Sequence, residues 1–246
     1  MAVAVESARE TLTEPLSPTD FRKRLEAEIR GRHSAVARFS LAWANGELTR
    51  EQFGEWARQH YHYVGPFSSW LGVMYAHCPH RDAKDFLLQN MWEEEMGQRH
   101  TDLLIRFAEA CGMTRERIEN ADEEGQVYPE TRSIQTWGRD LATNFSYLEA
   151  TAGLIVGLES QVPAIYMKQL PILKEKYGFT DEDVKFFKIH ITSDIIHGER
   201  GYQIVLKYAT TAAEQQRCID VVAQGTQQRR LYMDGIYRHA VLGESF

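Results

Sequence analysis

Two imidazoles and a carboxylate share one helix face in the stretch Lys188 to Gly198. His190, Asp194 and His197 stand at i, i+4 and i+7. At about 100° per residue they fall within a stripe about 60° wide. Ile189, Ile191, Ile195 and Ile196 surround them, so the spacing predicts a largely buried helix. Imidazoles and a carboxylate in such a place cost free energy unless an ion or polar partners compensate them. The ends of the set lie about 10 Å apart along the axis, so two adjacent ions are served more easily than one.

A second stretch, Trp92 to His100, puts Glu93 and His100 at i and i+7, on nearly one meridian of a continuous helix. Glu94 and Glu95 point away from His100 on that helix and read as solvated charges. A third stretch, Ala152 to Pro163, holds Glu159 in an otherwise apolar run, where a carboxylate is rarely left bare. Singly, each residue has an ordinary explanation: a hydrogen-bonded core histidine, or Glu159 paired with an arginine such as Arg139. Together they supply three imidazoles and three carboxylates from three helices. Two divalent cations would nearly balance those carboxylates. Nitrogen and oxygen donors without sulfur suit iron or manganese better than a structural zinc.

Such side chains need long helices to carry them. Apolar residues recur at three- and four-residue intervals over most of the 246 positions, with hardly any strand-type alternation. Ser17-Pro18-Thr19-Asp20 predicts a helix start, and the first helix runs through Leu25 and Ile29 to Trp43, stopping at Asn45-Gly46. Thr49 with Gln52 predicts a capping box on the second, which kinks at Gly65-Pro66 and ends before Pro79. A third is expected from about Arg81 to Ala110 and a fourth from about Thr131 to Gln161, beyond which Pro163 and Pro171 break the helical pattern into shorter pieces. The last two run from Thr180 to about Tyr208 and from about Ala212 to Ala240. Residues 1–16 lack a clear period and read as a flexible arm. Residues 17–246 read as one all-α domain, a single seven-helix bundle, because no repeat or linker divides them.

Composition narrows the function classes. Lys+Arg number 28 against 35 Asp+Glu, a net charge of −7. With no basic block, nucleic acid and anionic membranes are not expected partners. No apolar run approaches the roughly 20 residues of a bilayer span. Glu6, Arg9 and Glu10 interrupt any secretory leader, so a cytoplasmic protein is expected. Cys78, Cys111 and Cys218 are odd in number, lack CxxC spacing and read as small buried hydrophobes.

The combined pattern is Glu93-x6-His100, Glu159 within Leu-Glu-Ser-Gln-Val-Pro, and His190-x3-Asp194-x2-His197. It resembles the ligand set of the heme-oxygenase-like diiron oxidases and oxygenases, in the superfamily of TenA-like and PqqC-like (pyrroloquinoline-quinone-synthase-like) proteins. Asn45-Gly46-Glu47-Leu48-Thr49 with Gln52 resembles that family's first helix-to-helix turn, and helix order agrees from about residue 17 to 240. The resemblance implies a heme-oxygenase-like bundle whose six residues Glu93, His100, Glu159, His190, Asp194 and His197 hold two iron ions, Fe/Fe or Mn/Fe, with Glu159 as the bridge. It further implies O2 as co-substrate, a peroxo species as oxidant, and a small polar metabolite (an amine, amino acid or related acid) as substrate. An external electron donor and a homodimer are also expected.

One branch of that family makes para-aminobenzoate from its own Tyr and Lys side chains, and this chain resembles it in the Glu-Ser-Gln-x-Pro segment. The corresponding positions here hold Gln169, beside Lys168, and Arg38-Phe39-Ser40-Leu41 without a Tyr, which speaks against self-consumption. Two rivals stay open: a metal-free quinone-forming oxidase or thiaminase-like hydrolase on the same scaffold, and a helical interaction protein without enzymatic activity. Tyr63, Phe67 and Trp70 are candidates for lining a substrate pocket, and His60 shares a face with Tyr63. His77-Cys78-Pro79-His80 reads as a solvated turn and His33 as a partly exposed helix histidine. Arg200 is either an anion clamp or a solvent-facing arginine.

Overall fold

Helix starts follow the local capping chemistry. In the computed structural model, which describes residues 11–246, the Ser17 hydroxyl accepts from the Asp20 amide and opens α1 (Pro18–Arg32). A 3₁₀ turn at Ser34–Val36 interrupts the first run before α2 (Arg38–Ala44). The Thr49–Gln52 capping box is formed and opens α3 (Arg50–Val64). At Gly65-Pro66 the expected kink is a full break, followed by α4 (Phe67–His77).

The third run is also divided, into α5 (Arg81–Glu95) and α6 (His100–Ala110). Gly97 lies between them at φ +76°, a conformation that ends a right-handed helix. A short α7 (Arg115–Glu119) precedes α8 (Pro129–Asn144). A second capping box, Ser146 with Glu149, separates α8 from α9 (Tyr147–Ala150), in place of one continuous helix. The chain then winds through a π-helical segment, Thr151–Leu158, and a 3₁₀ turn, Glu159–Gln161, into α10 (Val162–Glu175). Pro163 does not break this run. It sits in the first turn of α10, where its missing N–H has no bond to lose. The long α11 (Lys185–Tyr208) and α12 (Ala212–Ile236) complete the seven expected runs. No strand occurs among the described residues.

α12 packs on the π-helical segment and on α1, α11 on α10 and the π-helical segment, α3 on α6 and α8, and α4 on α5. Between α2, α3, α6 and α11 the core is aromatic. Trp43 meets Trp56 edge-on at 5.0 Å between ring centroids and Phe187 at 5.6 Å, and Phe107 meets Phe187 at 4.9 Å. Such pairs each add about 0.5–1.5 kcal/mol beyond the area they bury. Of the expected arm, residues 1–10 lie outside the described residues. In the remainder, the Leu12 and Leu16 amides donate to Gln216 and Gln215 at 3.0 and 2.7 Å, and both leucines pack on the core.

Close approach of α11 to the π-helical run depends on two missing side chains. A Cβ at Gly201 would stand 2.7 Å from Ile155 Cγ2, and one at Gly198 3.2 Å from Ser160 Cβ. These contacts bring the helix bearing His190, Asp194 and His197 against the turn bearing Glu159.

Candidate metal centre

α11 turns Asp194 and His197 into the interior, with His190 partly buried beside them. Ile195 and Ile196 do not share that interior: they are 55% and 52% exposed, on the opposite face of the helix. Hydrogen bonds set which nitrogen of each ring is free. His190 Nδ1 donates to the Phe186 carbonyl at 2.7 Å, leaving the Nε2 lone pair available. His197 Nε2 lies 2.9 Å from Glu93 Oε2. A carboxylate only accepts, so the proton sits on Nε2 and the bare Nδ1 faces Asp194 Oδ1 at 3.7 Å and Glu159 Oε2 at 4.0 Å. An imidazole oriented by a carboxylate behind it is a recurrent support for metal ligands.

Donor atoms from four segments gather into two trios, Glu94 with His100 and His190, and Glu159 with Asp194 and His197. Within each trio they lie within 4.8 Å of one another. The His100 and His190 rings are 4.6 Å apart between centroids. Burial pushes the carboxyls of Glu159 and Asp194 well above the usual range, and neighbouring carboxylates push them further. Burial lowers His190 to about 4 and lowers His197 despite Glu93, so both rings are neutral ligands at pH 7. Burial opposes the charge of Glu94, yet its contact with His100 and the nearby His190 and His197 outweigh it and hold this carboxyl below its usual range.

The donor set fits cations. Glu159 Oε2 and His197 Nδ1 are buried without hydrogen-bond partners, an expensive arrangement that a bound ion relieves. Among the described residues no sulfur joins either trio, as iron or manganese chemistry prefers.

Placement differs from sequence expectation at one position in particular. Glu94, read as solvated and turned away from His100, stands 2.9 Å from His100 Nδ1. The i to i+7 meridian holds only on a continuous helix, and the break at Met96–Arg99 resets the phase between α5 and α6. Glu93 lies outside both trios, on the far side of His197, where it also accepts from Gln89 Nε2 at 2.9 Å. Glu159 is placed by the wider π-helical winding before it, a feature often found at functional sites. Ser160 and Gln161 donate to the Val156 and Gly157 carbonyls within that segment. Arg139 is exposed and does not pair with Glu159.

Both trios border a cavity of about 60 Å³, also lined by His60, Tyr63, Phe67, Tyr166 and Arg229. Tyr63 and Phe67 thus stand where pocket residues are expected. Trp70 is absent from that lining, because its ring packs against Gly138 of α8. His60 is held by Tyr232, Nδ1 to hydroxyl at 3.0 Å, and burial lowers its pKa well below the usual value. Arg200 donates to Gln89 and covers the Phe86 ring outside the cavity. His80 stacks on Tyr208, and His33 caps the Ser34–Val36 turn. No cysteine lines the cavity, and burial raises Cys111 and Cys218 to about 12. Arg229 and Tyr166 are cavity residues that sequence reasoning misses, since nothing local distinguishes this arginine or this tyrosine from the others of the chain.

Comparison with known proteins agrees with this chemistry. A 4-aminobenzoate synthase of Nitrosomonas europaea is 28% identical over 235 residues, covering 91% of this chain and 94% of that protein. One of Chlamydia trachomatis is 29% identical, covering 76% and 79%. A pyrroloquinoline-quinone synthase of Cronobacter sakazakii is 23% identical, covering 84% and 82%. The fold is shared with the crystal structure of a TenA homologue from Pseudomonas syringae (TM-score 0.77, 14% identity, 95% and 98% covered). Residues 54–230, most of the chain and all six expected ligands with Glu94, match the family described as iron-containing redox enzymes. The chain belongs to that family of iron-containing redox enzymes, built on the heme-oxygenase-like helical fold.

Proposed function

We propose that this protein is a non-heme dinuclear iron oxidase or oxygenase that uses O2 to oxidise a small polar metabolite. The observation that carries the reading is the pair of buried nitrogen–oxygen trios bordering one cavity, with two donor atoms, Glu159 Oε2 and His197 Nδ1, left without hydrogen-bond partners. Glu94, His100 and His190 would hold one ion, and Glu159, Asp194 and His197 the other. Bound iron supplies the redox chemistry with O2. Around it, Glu93 holds the His197 proton on Nε2 and so keeps Nδ1 available. The Phe186 carbonyl does the same for His190. Leu154, Leu158, Val162 and Phe186 line the cavity and limit water. Tyr166, 3.4 Å from His60 Nε2, and Tyr63 offer hydroxyls that can orient a substrate or take up and return a proton.

Relatives named 4-aminobenzoate synthase support an aminobenzoate as one candidate product. Gln169, which is buried, stands where the resemblance would require Lys, and the segment Arg38 to Leu41 holds no Tyr, so the substrate proposed here is an external molecule. Manganese in one position, an external electron donor, a homodimer and a cytoplasmic setting belong to the same proposal. No described helix is long and apolar enough to cross a membrane.

Anaerobic reconstitution with Fe(II) tests the reading. Two irons per chain, and an O2-dependent transient absorbance lost in His197→Ala, are expected. A stoichiometry near zero overturns it and favours the metal-free rival.

A further inference from the structure

Arg229 is the only arginine or lysine among the described residues that lines the cavity. It is 5% exposed, and no described carboxylate lies within ion-pair distance of it. A buried guanidinium without an anion carries a large desolvation cost. Its position is nevertheless held firmly. Nε donates to Ser34 Oγ at 3.1 Å, and the Ser34 amide and hydroxyl donate to Gln161 Oε1 at 2.9 and 3.0 Å. Gln161 Nε2 in turn donates to the Gly157 carbonyl. This chain of bonds occupies the Nε edge of the guanidinium, and the Tyr63 hydroxyl, also on the cavity wall, hydrogen-bonds to the guanidinium as well; an occupant of the cavity would meet the guanidinium together with that hydroxyl.

Charge points the same way. Two divalent ions against Glu94, Glu159 and Asp194 leave the centre with a surplus positive charge, and Arg229 adds another. The carboxylates bordering the cavity are committed to the ions, so Arg229 is not their counter-charge once these are bound. We propose that Arg229 is the anchor for a carboxylate on the substrate, which makes the substrate of this site a small carboxylic acid whose oxidisable end faces the two trios. The planar fork of an arginine matches a carboxylate with two parallel hydrogen bonds, which an amide cannot accept equally. The proposal rests on the oxidase reading for the cavity being a reaction chamber.

Isothermal titration calorimetry with benzoate and propionate against benzamide and propionamide, on iron-free and on anaerobic Fe(II)-loaded protein, tests it. Wild-type protein should bind each acid about tenfold or more tightly than its amide. Arg229→Gln should lose that preference with bound iron per chain unchanged, and Arg229→Lys should retain part of it. Equal binding of acid and amide by the wild type, an undiminished preference in Arg229→Gln, or no binding of any probe overturns the proposal. The wild-type comparison keeps the test decisive even if Arg229→Gln fails to fold. An acid preference that depends on Arg229 in a protein taking up no iron would sink the oxidase reading and leave the anchor standing. Iron loading without acid preference would do the reverse.

Discussion

At the level of single residues, the two neighbouring glutamates of α5 do different work. Glu94 completes a trio with His100 and His190, whereas Glu93 orients His197 from behind. Glu94→Ala should therefore lower iron by about one ion per chain, measured by metal analysis after desalting. Glu93→Gln should keep the stoichiometry and weaken affinity about 10–100-fold, the usual effect of losing a bond behind a ligand. The buried carboxyls Glu159 and Asp194 make a separate prediction for the iron-free protein. Their pKa values are raised in the fold, so the folded state binds more protons than the unfolded chain. Their contribution is thus favourable at low pH and is lost as pH rises through their folded range. The melting temperature of iron-free protein should fall as pH rises beyond the ordinary carboxylate range and through the raised folded range of these groups, and fall less in the double variant Glu159→Gln, Asp194→Asn. That variant should be about 1–4 kcal/mol more stable than iron-free wild type near neutral pH, yet bind no iron at the second trio. A lower melting temperature for the variant would count against unpaired carboxylates as the source of strain.

Among the elements, the site depends on how closely α11 approaches the π-helical run. Gly201 leaves room for Ile155, which would otherwise meet a Cβ at 2.7 Å. Gly201→Val should cost about 1–3 kcal/mol by overpacking and reduce iron at the trio shared by Glu159 and His197. Adding Ile155→Ala should restore part of both, read by chemical denaturation and metal analysis. If Gly201→Val leaves iron binding intact, the helix approach does not govern the site. The break between α5 and α6 is the other decisive element: it gives His100 a fresh helix start and lets Glu94 meet it.

For the molecule as a whole, metal binding and folding are linked. An ion that binds only the folded state stabilises it by about 2.7 kcal/mol at a concentration 100 times its dissociation constant. In a chain of this size that corresponds to a rise in melting temperature of about 5–10 °C. Anaerobic Fe(II) should produce that rise in the wild type and a smaller one in His197→Ala, followed by calorimetry. Uptake should also release protons, because the raised carboxyls of Glu159 and Asp194 must ionise to act as ligands. The release should shrink as pH is raised through the folded range of these carboxyls, counted in weakly buffered solution; no release at any pH would show that these groups are already ionised.

The helical class, the caps at Ser17 and Thr49, and the stripe of His190, Asp194 and His197 were written in the sequence, because capping and periodicity are short-range properties. The chemical character of the site was equally legible, since the types of its donors are unaffected by folding. The tertiary structure decided which carboxylate meets His100, because a break of four residues at Gly97 shifts helix phase in a way that spacing does not register. It also decided how Glu159 is aimed, through a π-helical winding imposed by packing against α11 and α12. Only the folded chain brings Arg229 to a cavity whose other walls lie up to 169 positions away, at His60. Its burial without a carboxylate is a property of neighbours that no local pattern records.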